Sequence, residues 1–353
     1  MTAMIEHLMT RIRAGGPMTV AEYMTEALLH PRLGYYTTRD PLGAGGDFTT
    51  APEISQMFGE LVGLAIAQAW QDQGSPSAFT LAEPGPGRGT LMADILRATR
   101  AVPGFHAAMH LHLVEASPEL RARQRVLLGD AVTWFYELEE LPDNQPLFLV
   151  ANEFFDALPI RQFLRGSTGW QERLIGQRDD ALTIGLGPEQ PRAELDHRLA
   201  DTKPGNIVET CPAAPAVVAS ISDRIAAHGG AALIFDYGGW RSNGDTLQAL
   251  RDHAPIDPLA DPGRSDLTAH VDFEVLAKAA TCAHSGLTPQ GVFLERLGIT
   301  ARAGALAARL SGAALEQHVA AHRRLTHPDE MGNLFKVLAL FPKGAPPPPG
   351  CDP

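Results

Sequence analysis

Cysteine is nearly absent. The chain has three in 353 residues, Cys211, Cys282 and Cys351, and no two of them form C-x-x-C. That excludes zinc ribbons and thioredoxin-type redox chemistry. An odd, low count fits a reducing compartment, and a cytoplasmic protein is the expectation. Long apolar runs are also missing. The longest, Leu61 to Trp70, is broken by Gln68 and falls short of the ~20 residues that cross a bilayer. Near the start, Glu6, His7, Arg11 and Arg13 leave no apolar signal core, so no membrane span or signal peptide is expected. Basic charge is in deficit, with 29 Lys and Arg against 41 Asp and Glu, a net charge of −12. A nucleic-acid binder needs a basic footprint, so nucleic acid is not expected as a partner. H-E-x-x-H and G-x-S-x-G are missing as well, and no metal site is expected.

What is present is an ordinary globular mix. Hydrophobic residues make up 44% and charged residues 20%, which excludes disorder as the main state. The 34 glycines and 28 prolines predict many turns. The first seventy-odd residues read as helical. Thr19-Val20-Ala21-Glu22 is a capping box whose helix should stop near His30, before Pro31. Thr50-Ala51-Pro52-Glu53 is a second, opening a helix through Ile54, Met57, Phe58, Leu61 and Val62 that should end at Gly74.

Then strands and helices alternate. Apolar strands are predicted at Phe79–Ala82, Leu111–Val114, Ala131–Phe135, Leu147–Ala151, Ala231–Phe235 and Phe335–Leu340. Helices are predicted over Thr90–Arg100 and from Ser117-Pro118 to about Gly129. Continuous apolar strands separated by helices indicate an α/β fold with a mostly parallel sheet covered on both faces. Two stretches interrupt the alternation. Short strands at Arg161–Leu164, Arg173–Ile175 and Leu182–Ile184 mark one, and a long loop followed by helices over 239–330 is the other. The expected organisation is an N-terminal helical region over 1–75, a core over 76–343 with insertions at about 157–205 and 239–330, and a disordered proline tail over 344–353.

The most informative segment is Glu83-Pro84-Gly85-Pro86-Gly87-Arg88-Gly89-Thr90, between a predicted strand and a predicted helix. Glycines there let the backbone approach a ligand, and the helix N-terminus offers unpaired N–H groups. Dinucleotide binders use G-x-G-x-x-G; here the spacing is G-x-G-x-G. Glu83 would repel a pyrophosphate and suit a ligand carrying an ammonium group. Glu115 ends the next strand, where an acid can accept hydrogen bonds from both ribose hydroxyls. A solvated strand end is the other reading of Glu115 standing alone. The acid-x-G-x-G-x-G pattern resembles the first motif of class I S-adenosylmethionine methyltransferases.

A narrower resemblance runs along most of the chain. Its segments are Gly34-Tyr35-Tyr36; Gly46 to Ser55; Gly85 to Leu91; Asn152-Glu153-Phe154-Phe155-Asp156-Ala157-Leu158-Pro159; Asp236-Tyr237-Gly238; and Pro262 to Phe273. In order and spacing these resemble the MidA-type S-adenosylmethionine-dependent methyltransferases, which include a mitochondrial arginine methyltransferase acting in assembly of respiratory complex I. The resemblance implies a Rossmann-like, seven-strand fold, S-adenosylmethionine as cofactor, and methylation of a protein side chain, with a respiratory-complex subunit as one candidate substrate. The oligomeric state stays open, with a homodimer as one expectation.

An arginine acceptor sets a chemical demand. Its guanidinium is cationic, with a pKa above ~12, so its nitrogen is a poor nucleophile until carboxylates hold it and localise its charge. Glu153 and Asp156 follow the fourth strand and are the candidates, with Asn152 fixing either acceptor or cofactor. Helix-start acids complementing the macrodipole are the plainer alternative. Cofactor contacts are expected from Glu83, Gly85, Gly87, Gly89 and Glu115. Asp47 and Thr49, in a loop ahead of the core, could close over the cofactor as a lid. Tyr237 reads as channel lining or as packing. His270 and Asp272 read first as structural, Asp272 as a helix N-cap, and Trp134 reads first as core. Arg121, Arg123 and Arg125 read as a solvated face. A methyltransferase with another acceptor and a non-catalytic assembly chaperone remain the competing readings.

Overall fold

The structure, a computed structural model, describes residues 2–38, 49–251 and 254–352. The chain divides into two units, each assembled from separate stretches: 1–48, 156–214 and 241–272 form one, and 49–155, 215–240 and 273–353 the other. The boundary therefore falls near residue 49 rather than 75. The helices after Thr50 carry an apolar face that belongs to the core of the second unit, where Phe58, Leu61, Val62, Ala65 and Ile66 are buried with Phe79 and Phe148.

In the second unit two helices, α1 (Ala51–Ile54) and α2 (Gln56–Asp72), precede β1 (Phe79–Pro84), α3 (Thr90–Thr99), β2 (Met109–Val114), α4 (Pro118–Leu128), β3 (Val132–Phe135), β4 (Leu147–Asn152), β5 (Gly230–Gly239) and β6 (Phe335–Phe341). Their order across the sheet is β3-β2-β1-β4-β5-β6. Pairings from β3 through to β5 are parallel, whereas β6 runs antiparallel to β5. The two-residue strands Ala283–His284 and Thr288–Pro289 also pair antiparallel with β6. The sheet is thus mixed: parallel from β3 to β5, as alternation suggests, and antiparallel at the β6 edge. Apolar runs reveal where strands are but not which way they point, and the long stretch between β5 and β6 lets β6 enter from either end. The strand order reverses between β1 and β4, and crevices beyond the carboxyl ends at such a reversal are where open α/β sheets bind ligands.

Local chemistry explains the helix boundaries. The second predicted capping box does not form: Thr50 makes no side-chain cap. Ser55 takes an extended conformation and its hydroxyl accepts from Met57 N at 3.3 Å, so a fresh helix starts there. Gly59 and Gly63 lie one turn apart on α2 and face α3. A Cβ on Gly63 would sit 2.9 Å from Ile95 Cα, and one on Gly59 would sit 2.6 Å from Asp94 Cβ. The two helices touch because these side chains are missing.

The first unit holds the helices Ala3–Gly15 and Val20–Leu29. The Thr19–Glu22 capping box is present with both bonds, and the second helix ends before His30. Its larger sheet is antiparallel and includes Arg161–Arg165, Trp170–Arg178, Ala181–Leu186 and Ile207–Thr210. Met4, Leu8, Val20, Tyr23, Met24, Leu28, Ile160 and Ile175 form its core.

The proline tail is packed rather than disordered. Asp352 N–H donates to Thr288 Oγ1 at 2.9 Å, Arg296 pairs with Asp352 at 2.7 Å, and Cys351 lies against the second unit's core. Proline stiffness lowers the entropy that such a segment loses on docking.

Gly63→Leu should force α2 and α3 apart and cost about 1–3 kcal/mol, the range for overpacking a filled interior. Urea unfolding checks this, with Leu64→Ala, at a half-exposed position on the same helix, expected to shift the midpoint far less.

Candidate active site

The glycine loop joins β1 to α3. Gly85, Gly87 and Gly89 have φ of 61°, 53° and 85°, the left-handed region that favours glycine. A Cβ on Gly85 would press to 3.3 Å on the Phe154 ring. Gly89 is the N-cap of α3 and provides no side-chain cap, so the first-turn N–H groups of that helix face the loop. Thr90 Oγ1 donates to Glu53 Oε1 at 2.6 Å. The acid of the failed capping box is thus drawn to the start of the loop helix.

Glu83 ends β1, 3% exposed, and among the described residues its Oε2 has no hydrogen-bond partner. Burial pushes its carboxyl up to about 8. A buried carboxylate is costly unless a partner reaches it. An ammonium group delivered by a ligand would meet that need, and an aminoacyl nucleoside fits this donor set where a pyrophosphate does not.

Glu115 follows β2. Its Oε1 accepts from Ser117 N at 2.7 Å, and its Oε2 lies 3.5 Å from Gln124 Nε2. Burial raises its carboxyl, and these bonds with the nearby Arg121 charge oppose the rise. Arg121 is not a solvated residue. It donates to the carbonyls of Glu115 and Phe135, each at 2.6 Å, and clasps the ends of β2 and β3. Arg123 and Arg125 are exposed, as expected. Trp134 donates its indole N–H to Gln124 Oε1 at 2.7 Å. Gln124 is the site residue that motif reading missed. Its signal is faint: one glutamine on the inward helix face that it shares with Leu120 and Leu128.

Asn152 is the last residue of β4 and Glu153 follows it, across the strand reversal from Glu83. Glu153 has φ of 50°, which is rare for a residue with a side chain. Its Oε1 accepts from Ala51 N at 3.3 Å and Asn152 Nδ2 at 3.1 Å, and its own N–H donates to Phe235 O at 2.9 Å. Non-glycine residues held in this conformation cost of order 1–3 kcal/mol and cluster at functional sites. Next along, Phe155 N–H donates to the buried Asp236 Oδ2 at 3.0 Å, which fixes the turn.

Other predicted residues fall elsewhere. Asp156 is buried in the first unit, where its carbonyl accepts from Ala269 N at 3.0 Å. In that unit the Tyr36 phenol donates to Asp266 Oδ1 at 2.7 Å, and burial with the Asp266 and Asp156 charges holds it well above its usual range. His270 N–H donates to Thr246 Oγ1, and Asp272 accepts from Ser242 N at 3.0 Å. Tyr237 is 8% exposed and its ring packs on Phe335, which favours packing over channel lining. Thr49 is half-buried at the start of the second unit, and Asp47 lies outside the described residues. A groove of about 720 Å³ opens at the opposite, amino end of β2, lined by His106, His110, His112 and Gln145 among others, and it is not part of this site.

Comparison with known proteins agrees with the geometry. Residues 61–293 match a family model described as "Putative S-adenosyl-L-methionine-dependent methyltransferase". The chain is 38% identical to mouse "Protein arginine methyltransferase NDUFAF7, mitochondrial" over 97% of its own length and 85% of the relative's. The Drosophila melanogaster homologue is 36% identical over 96% of this chain and 85% of that protein. A crystal structure from Burkholderia thailandensis bound to S-adenosyl-homocysteine superposes with a TM-score of 0.84 at 32% identity, covering 99% of this chain and 94% of that one. The cytoplasmic expectation is corrected here, because the mouse and fly relatives are named as mitochondrial proteins. Unpaired cysteines mark a reducing environment and not which compartment supplies it. Among the described residues no helix is long and apolar enough to cross a membrane.

Ligand affinity should depend on pH through Glu83. An ammonium ligand selects the ionised carboxylate, so binding of S-adenosyl-homocysteine should tighten as pH rises from 6 toward about 8, by at most about tenfold per unit. The unliganded fold should instead lose stability over the interval from 4.5 to about 8, because the folded state holds this proton more tightly than the unfolded chain. Glu83→Gln should flatten both profiles in titration calorimetry and thermal melts; an unchanged binding profile would remove Glu83 from the site.

Proposed function

The chain belongs to this family of S-adenosyl-L-methionine-dependent methyltransferases, and within it we propose that the protein is an arginine N-methyltransferase acting on a protein substrate. The observation that carries the acceptor assignment is the near-full-length likeness to proteins named as arginine methyltransferases. The resemblance extends the reading to assembly of respiratory complex I, with a subunit of that complex as the substrate class.

The site supports this chemistry. Bound S-adenosylmethionine supplies an activated methyl group on a sulfonium. The work left to the protein is alignment and exclusion of water. Glu83 receives the ammonium end, the glycine loop brings bare backbone alongside, and Glu115 accepts from the ribose. The finer fold assignment, a class I Rossmann-like methyltransferase, belongs to the same reading and is supported by the strand order and its reversal between β1 and β4.

Glu153 is assigned to the acceptor. A carboxylate that takes two N–H bonds from one side of a guanidinium draws the positive charge toward those nitrogens and leaves the third a better nucleophile. Transfer of the methyl group to that nitrogen would exchange a C–S bond for an N–C bond, with the electron pair left on sulfur and the proton lost by the methylated nitrogen released to solvent. The strained backbone at Glu153 and its bonds to Ala51 and Asn152 set the carboxylate's direction. The Phe154 ring, against Gly85, screens the loop from water. Asn152 orients Glu153. For Asp156, buried in the first unit, an acceptor role is proposed from the sequence alone, as is a lid role for Asp47 and Thr49.

Incubation with labelled S-adenosylmethionine and a mitochondrial extract, followed by mass spectrometry, should place the label on an arginine of a protein. Glu153→Gln should lower that labelling by about 10²-fold, the scale of losing one well-placed electrostatic group, and leave S-adenosyl-homocysteine affinity within about twofold. Label on lysine, on carboxylates or on small molecules would overturn the arginine assignment. Asp156→Asn, measured in the same way, tests that residue separately.

A further inference from the structure

Gln124 lies on α4 and is fully buried. A buried amide is a poor choice for a core position unless all of its groups are used. Here they are used, and the partners fix which way the amide faces. The indole N–H of Trp134 can only donate, so the atom 2.7 Å from it is Gln124 Oε1. The amide nitrogen therefore faces the Gly87 carbonyl at 2.7 Å and Glu115 Oε2 at 3.5 Å, one hydrogen for each. Those two acceptors are the middle glycine of the loop and the acid beyond β2. They come from different segments of the sheet edge, and the Gln124 amide meets both.

The third glycine makes this reach possible. A Cβ on Gly89 would lie 3.4 Å from Gln124 Cγ and 3.3 Å from Leu128 Cδ1. Glu115 is held at its other oxygen by Ser117 N–H, so the carboxylate is gripped from two sides. Each of its oxygens keeps a lone pair for a ligand.

We infer that Gln124 is a positioning residue that sets the Glu115 carboxylate against the cofactor's ribose and holds it in register with the glycine loop. The inference deepens the cofactor reading and rests on it. Gln124 does not touch the reacting atoms. It acts through Glu115 and Gly87, and the larger part of its effect falls on recognition of the sugar.

The test uses calorimetric titration of the full chain with S-adenosyl-homocysteine and with its 2′-deoxyribose analogue. The wild-type protein should prefer the ribose ligand by about tenfold or more, the scale of one charge-assisted hydrogen bond. Gln124→Met, which keeps the volume and loses the amide, should bind S-adenosyl-homocysteine about tenfold more weakly and reduce the ribose preference to about threefold or less. Gln124→Glu, nearly isosteric, should weaken binding at least as much, because its second oxygen would face the Gly87 carbonyl and the Glu115 carboxylate. A merely structural role would lower both affinities together and leave the preference intact; that result in either variant overturns the inference. Wild-type affinity in Gln124→Glu would overturn it as well. Failure of the wild-type protein to bind S-adenosyl-homocysteine would overturn the cofactor reading instead, and the inference with it.

Discussion

A desolvated carboxylate at the end of β1 governs how this site is organised. Glu83 is buried, and burial alone pushes its carboxyl up to about 8. An unliganded fold carries that cost without return. The cost becomes useful when a positively charged group arrives, since a charge pair in a dry pocket is far stronger than one in water. On the proposed reading the surrounding features then take their places: glycines that keep side chains out of the way, an uncapped helix start, and a second acid for the sugar. A phosphate-bearing ligand would meet repulsion at the same point. On the proposed reading, cofactor class is set by one acid and the absence of several Cβ atoms.

Much of this could be read from the chain itself. The acid, the glycine spacing and the strand–helix context all lie within eight consecutive residues, so short-range pattern sufficed. The strands were legible because a sheet covered on both faces needs unbroken apolar runs. Three things were not. Strand direction leaves no local trace, so β6 could not be seen to run backwards. The second capping box competed with Ser55, one residue beyond the first helix, and lost Glu53 to a threonine 37 positions away. Arg121 looked like one of three equivalent surface arginines, and only the approach of β3 made it a clasp between strands. Each miss is a long-range contact overruling a local preference.

The positive φ at Glu153 was equally invisible beforehand. Nothing in N-E-F-F-D-A-L-P says which residue bears the strain. The turn could have used glycine at little cost, yet a glycine carries no carboxylate. A side chain is kept where the backbone disfavours one, and its oxygen is tied to both a neighbouring amide and the first helix. Rigidity at the strand end and chemistry at the strand end are therefore the same feature.

The paired glycines on α2 reach further than packing. They seat Ile95 of α3 against a bare stretch of neighbouring helix, and α3 begins where the glycine loop ends. That seat anchors α3 from behind, and with it the uncapped first turn that faces the glycine loop. Two missing side chains on a helix that bears none of the predicted ligand contacts thereby help to hold the crevice in shape.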